Sequence, residues 1–148
     1  MSGNITFTII KPRATASGHA AEILSRISEA GFWICGMKTV QLSRKQAEEF
    51  YIVHKKRPFY QDLVNFMISG PIVVAILEKD NAVEDYRKLI GATDPEKAEE
   101  GTIRKQFATS MQENAVHGSD SDENAKIESS FFFGRSEVFA RNGSFLDF

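Results

Sequence analysis

PIVVAILEK, residues 71–79, is an apolar run opened by Gly70-Pro71 and closed by Glu78-Lys79. Its length, its β-branched residues and its lack of alternation are the signature of a strand covered on both faces, and therefore of a sheet with helices packed against it. Two further stretches read as strands beside it. ITFTII (5–10) alternates over a β-rich run and stops at Lys11-Pro12, where proline ends the ladder. FWICGMKTVQL (32–42) follows the same pattern, with a glycine bulge expected at Gly36. NAV (114–116) is short enough to be a fourth strand leading into His117.

Helical patterns fill the gaps. After Gly18, AAEILSRISEA places Ala20, Ile23, Leu24 and Ile27 on one stripe and ends at Gly31. Ser43 and Gln46 form a capping-box pattern that opens a helix through QAEEFYIV, and YQDLVNFMISG (60–70) reads as a short helix. NAVEDYRKLIG (81–91) turns Val83, Tyr86 and Leu89 or Ile90 inward and ends at Gly91. Beyond the polar loop 92–101, TIRKQF adds a helical turn. A last helix through ENAKIESSFF is capped by Ser119 with Asp122, or by Ser121 with its acidic neighbours. Successive strands lack helical crossovers of equal length, which favours an antiparallel α+β sandwich over a doubly wound parallel sheet.

The 148 residues, 42% of them apolar, suffice for one sizeable core, and a single domain over 1–148 is expected, with 141–148 as a C-terminal tail. There is no uninterrupted apolar run of membrane-spanning length and no signal-peptide pattern at the N-terminus, so a cytoplasmic protein with no membrane partner is expected. The single cysteine, Cys35, sits in the apolar FWICGM and fits a reducing compartment. A net charge of -2 argues against nucleic acid as the main partner. The basic cluster HKKRP (54–58) reads as a solvated face.

Neither a GxxxxGK[ST] loop nor a GxGxxG turn is present, so a nucleotide would need other cations to hold its phosphates. His19, His54 and His117 lie far apart and lack the cysteines of a zinc site. The remaining candidate is His117 in NAVHGSDS (114–121). A histidine nucleophile needs one ring nitrogen free and the other pinned by an acceptor. Glu128 fits that role if Gly118 lets the chain turn sharply, with Glu123 and Asp120 as competing partners. On residue pattern alone, a histidine serving a turn or cap is the better-supported reading.

Taken together, IIKP (9–12), FY (50–51) with RPF (57–59), SGP (69–71), RKLIGATDP (87–95), EGTIR (100–104) and NAVHGSDS resemble the nucleoside diphosphate kinase family over roughly residues 4–139. Each piece is weak alone; their joint order and spacing are specific. The resemblance implies a ferredoxin-like βαββαβ fold with a four-stranded antiparallel sheet and added helices. It also implies transfer of the γ-phosphate from a nucleoside triphosphate (ATP, GTP and others) to a nucleoside diphosphate, maintaining the triphosphate pools. The route would be ping-pong, through a phosphohistidine.

In that resemblance His117 is the nucleophile through its pros nitrogen, Glu128 holds the other ring nitrogen, and Ser119 supports Glu128. Lys11 neutralises the transferred phosphoryl group and touches the ribose, and Tyr51 adds a hydroxyl nearby. Arg87, Thr93 and Arg104 hold the remaining phosphates, the arginines as planar forks. Asn114 bonds the sugar and phosphate oxygens, and Phe59 stacks on the base with little discrimination between bases. Mg²⁺ arrives on the nucleotide, with Asp120 reaching it through water. A homo-oligomer is implied, a tetramer or hexamer, with Pro95 in the loop that packs subunits.

Three stretches depart from the pattern. Arg13 follows Lys11-Pro12 where the family commonly has aspartate, which is expected to raise the local positive potential; EKAEE (96–100) lacks a second proline; RNGSFLDF (141–148) matches nothing diagnostic. A catalytically silent nucleotide-binding or assembly module of the same fold is the alternative, and intact His117 and Glu128 weigh against it.

Overall fold

The computed structural model describes residues 3–148. Its centre is the strand Ile72–Glu78, whose first six residues are all buried, as the unbroken apolar run requires. In chain order the strands are β1 Ile5–Ile10, β2 Trp33–Val40, β3 Ile72–Glu78 and β4 Val116–Gly118. They form one antiparallel sheet in the order β2-β3-β1-β4. The helices are α1 Pro12–Ala16, α2 Ala20–Glu29, α3 Arg44–Phe50, α4 Tyr60–Met67, α5 Ala82–Ile90, α6 Ile103–Phe107 and α7 Asp122–Phe132. This is the α+β sandwich expected.

Helices cover both faces. On one, Phe7, Ile9, Val74 and Ile76 pack with Ala47 of α3, Val64 and Met67 of α4 and Ala125 of α7. On the other, Ile10, Val73, Ala75 and Leu77 meet Ile23 and Ile27 of α2, Tyr86 and Ile90 of α5 and Ile103 of α6. Each large aliphatic side chain so buried contributes roughly 1.5–3 kcal/mol. The alternation in ITFTII therefore marks two kinds of covered face, not a solvated one: Thr6 and Thr8 are fully buried. Thr8 Oγ1 donates to the His117 carbonyl at 2.8 Å, so its 2.6 Å bond to the Tyr86 hydroxyl takes the proton from the tyrosine.

Local signals mostly act as their chemistry dictates. Ser43 and Gln46 make both bonds of the capping box on α3. The ladder between β2 and β3 slips between Ile34 and Gly36, the expected bulge. Ser121, not Ser119, caps α7 by accepting from the Asn124 backbone. Ile90 rather than Leu89 is the fully buried residue at the end of α5.

Three features differ from the sequence expectation. Pro12 ends β1 but also starts α1, since its fixed φ and missing N–H suit the first helical position. The fourth strand contains His117 instead of stopping before it, because Ala115 at φ 72 breaks the extended chain one residue earlier. The C-terminal tail is packed: Leu146 is buried, Phe148 lies against the core, and Phe145 bridges to Phe139.

Gly91 ends α5 at φ 87, ψ -174, a region open essentially to glycine alone. A Cβ there would also stand 2.6 Å from Thr102 Oγ1 and 2.7 Å from Thr102 Cβ. Gly91→Ala is expected to lower the unfolding free energy by on the order of 3 kcal/mol, combining backbone strain with overpacking, as read by urea denaturation.

Candidate functional site

The register between β1 and β4 sets the site. His117 pairs with Ile9 and Gly118 with Thr8, so side chains at 117 and 118 leave the sheet on opposite faces. His117 emerges on the α7 side. Gly118 emerges on the α5 side, where a Cβ would meet Tyr86 and Ile90 at 3.0 Å. The glycine is required by that close approach, not by a sharp turn, since its φ is not left-handed.

On the α7 side, His117 Nε2 lies 2.9 Å from Glu128 Oε1. Ser119 Oγ donates to the same carboxylate oxygen at 2.6 Å. A carboxylate beside Nε2 places the ring proton there and leaves Nδ1 as the lone-pair nitrogen. Nδ1 has no hydrogen-bond partner among the described residues. Glu123 and Asp120 do not reach the ring; Asp120 instead accepts from Asn124 Nδ2 at 2.6 Å. Phe50 stands nearly perpendicular to the imidazole at 5.9 Å between centroids, and Phe7 lies at 6.3 Å. The ring can therefore pivot little.

The chain reaches this strand through a strained turn. Ala115 is left-handed, and the Val116 amide donates to the Asn114 carbonyl two residues back at 2.9 Å, a γ-turn of the rare positive-φ kind. The Lys11 amide donates to the Ala115 carbonyl, fixing the turn against the end of β1. Asn114 is thereby aimed so that Lys11 Nζ donates to its Oδ1 at 2.7 Å, while its Nδ2 reaches the Thr93 carbonyl at 3.4 Å.

A cleft of about 600 Å³ opens over these groups. Lys11, Tyr51, Phe59, Arg87, Thr93, Arg104, Asn114, His117, Asp120 and Glu128 all line it. Ser119 lies beneath, fully buried, reaching the site only through Glu128. The structure thus gathers at one cleft the residues to which the resemblance gives a catalytic, nucleotide or metal role, whereas Glu123 and Arg13 stay outside it. Phe59 is 46% exposed at the rim, as a surface for stacking needs. The Tyr51 hydroxyl is buried with no partner among the described residues, an orphaned polar group facing a cavity. Burial, and then Glu128, push its pKa up, so it stays a proton donor.

Arg104 is less free than a bare phosphate fork. Its Nη1 donates to the Gly91 carbonyl at 3.0 Å and its Nη2 to the Val116 carbonyl at 2.9 Å, while Nε is buried without a partner among the described residues. Burial first, and Arg87 after it, lower its pKa to about 10, against a raising effect of Tyr86. Arg87 is exposed and makes no side-chain bond among the described residues. Arg13, expected to raise the local positive potential, is instead paired with Glu113 at 3.6 Å and does not line the cleft. The pair is largely solvated and is worth no more than about 1 kcal/mol.

Several lining residues were not singled out in the sequence. Phe50 sits beside Tyr51 in the FY pair, His54 lies inside the basic run, and Met111 and Gln112 carry no motif. Lys55, Lys56 and Arg57 of that run are exposed and stay outside the cleft. Among the described residues no three His, Cys, Asp or Glu side chains gather to hold a metal, and no helix is long and apolar enough to cross a membrane.

The model of the family described as nucleoside diphosphate kinase matches residues 4–138. The nucleoside diphosphate kinase of Flavobacterium psychrophilum is 61% identical over 139 residues, covering 94% of this chain and 100% of that protein. Among solved structures, the Aquifex aeolicus nucleoside diphosphate kinase superposes with a TM-score of 0.89 at 43% identity, covering 91% of this chain and 98% of that one. A halophilic nucleoside diphosphate kinase from Halobacterium salinarum, in complex with CDP, gives 0.89 at 31% identity over 93% of each chain. The chain belongs to the nucleoside diphosphate kinase family. It is accordingly an enzyme that transfers the terminal phosphate of a nucleoside triphosphate to a nucleoside diphosphate, and nothing in these likenesses favours a silent module. Nucleotide kinases generally work with a divalent cation.

Burial, followed by the nearby Arg104, lowers the Lys11 pKa from 10.5 to about 7. Below that pH the group is a charged ammonium; above it the amine is neutral, and an anion bound beside it would draw its pKa up. Nucleotide binding at pH 8 is therefore expected to take up a proton, and affinity to fall as pH rises through about 7. Calorimetry in two buffers of different ionisation enthalpy reads the uptake, and Lys11→Gln should remove it.

Proposed function

We propose that His117 carries the phosphoryl group on Nδ1, its pros nitrogen. The observation that supports this is the chain Ser119, Glu128, His117: the carboxylate holds Nε2 at 2.9 Å and is itself held at 2.6 Å, which leaves Nδ1 to attack. The Nδ1 lone pair attacks the γ-phosphorus in line, the bond to the bridging oxygen breaks, and a nucleoside diphosphate leaves. Positive charge grows on the imidazole, and Glu128 opposes it without taking the proton. A second diphosphate then attacks the phosphohistidine with its terminal oxygen, and the N–P bond breaks. One site serves both halves, so the kinetics are ping-pong.

The other residues act by position and charge. Lys11 and the Tyr51 hydroxyl address the moving phosphoryl group, Arg87, Thr93 and the remaining N–H groups of Arg104 the inner phosphates, and Asn114 the sugar and phosphate oxygens. Phe59 stacks on the base. Asp120 is one solvated carboxylate at the cleft, which suits a Mg²⁺ that keeps most of its waters and is held mainly by the nucleotide. Bound there, the ion would supply charge neutralisation on the phosphates.

We further infer that the chain is a single domain, that it works in the cytoplasm, where its one buried free thiol suits reducing conditions, and that it forms a homo-oligomer. Exposed Trp33 and Met37 on the edge strand β2 support the last point. Light scattering is expected to give the mass of a tetramer or hexamer; a monomer would remove the assembly reading.

With γ-labelled ATP and Mg²⁺, the protein is expected to take up acid-labile, base-stable label that a second diphosphate chases into its triphosphate. His117→Ala should abolish the label. Glu128→Ala should slow turnover about 10- to 100-fold while nearly keeping nucleotide affinity, because it orients the ring and does not hold the substrate. Unchanged turnover would sink that role.

A further inference from the structure

Two segments wall the cleft where its residues are exposed: Phe59 and Leu63 at the start of α4, and Met111, 60% exposed, with Gln112 in the loop before β4. Phe59 and Met111 have no sequence-specific hydrogen bonds to offer. Gln112 does, and it is held in a defined way: its Nε2 donates to the Asp62 carbonyl at 3.1 Å, tying the two walls together. An acceptor at Asp62 requires the amide nitrogen there, which fixes the orientation of the group and makes Oε1 the end that points elsewhere. Oε1 has no partner among the described residues.

The loop carrying Gln112 is also braced. The Thr109 amide donates to the Glu113 carbonyl at 3.0 Å, the Thr109 hydroxyl reaches the Glu113 carboxylate at 2.9 Å, and Arg13 pairs with that carboxylate from α1. A side chain tethered at its amide nitrogen, on a loop that is itself closed by hydrogen bonds, presents its acceptor in a restricted volume. Gln112 lines the same cleft as Phe59, so its free acceptor is available to the edge of a base stacked there.

We propose that Gln112 is a specificity-determining residue for the phosphoryl transfer, favouring bases that carry an exocyclic amino group at the exposed edge, cytosine and adenine, over uracil and thymine. The chemistry is a match of donor to acceptor: the cytosine amino group donates to Oε1, whereas uracil sets its O4 acceptor against it. The inference rests on Phe59 as the stacking surface. Because the contact is at a solvated rim, a single hydrogen bond gives about a threefold to tenfold preference, not exclusion.

CDP and UDP have the same size and differ at that position, so the pair isolates the contact. Equilibrium binding and kcat/KM for each, with one common triphosphate donor, should favour CDP by about threefold to tenfold. Gln112→Ala should bring the ratio close to unity by loss on the CDP arm alone. A wild-type ratio of one, a ratio that survives the substitution, or a ratio that closes because UDP improves overturns the proposal. Phe59→Ala separately reports where the base sits: equal weakening of both nucleotides upholds the stacking reading, and unchanged binding of both removes it, whichever way the Gln112→Ala ratio falls.

Discussion

The pairing of Ile9 with His117 is the constraint on which the site depends. A β-strand offers only two directions for its side chains, so placing position 117 across from 9 commits the imidazole to the α7 face and position 118 to the α5 face. A slip of one residue would turn the ring toward Tyr86 and lose Glu128. The register is held by burial on both sides: Phe7 and Ile9 are locked in one core, Ile10 in the other, and no shift keeps both filled. Thr8 adds a polar lock by bonding the His117 carbonyl under Tyr86.

The imidazole and the cations of the cleft are held on different principles. The histidine is held by a carboxylate that a buried serine also holds, so its orientation is settled before substrate arrives. Lys11 and Arg104 are cationic groups placed close together and out of water, a costly arrangement expressed as lowered pKa values of about 7 for Lys11, through burial and then Arg104, and about 10 for Arg104, through burial and then Arg87. Such a pair is relieved by a polyanion. The empty-handed Tyr51 hydroxyl and the Arg104 Nε have the same character, donors buried where a ligand's oxygens would satisfy them.

Much of this was legible in the chain. PIVVAILEK signalled a doubly covered strand because a continuous apolar run can lie nowhere else, and Ser43 with Gln46 marked a helix start through two reciprocal bonds. The Ser119 or Ser121 ambiguity was not resolvable locally: both have the hydroxyl and the acidic neighbours, and only the position of Glu128 takes Ser119 away from capping. Pro12 concealed α1 because one residue can stop a strand and start a helix. Gly118 serves close packing and not a turn; the sequence hides this because a missing side chain suits either, and its sequence neighbours do not include Tyr86 or Ile90.

The sequence by itself determined which elements form, because periodicity, caps and breakers act over a few residues, and it determined which family the chain joins, because the order and spacing of its motifs are linear information. Only the tertiary structure decided that Thr8 bonds the His117 carbonyl, that Arg13 pairs with Glu113, and that Gln112 spans to Asp62. Those contacts join residues far apart in the chain, and their geometry depends on register, on the strained turn at Ala115 and on how α7 lies across β1. No local rule carries that information, because a side chain's direction in space is set by the whole sheet and not by its neighbours in sequence.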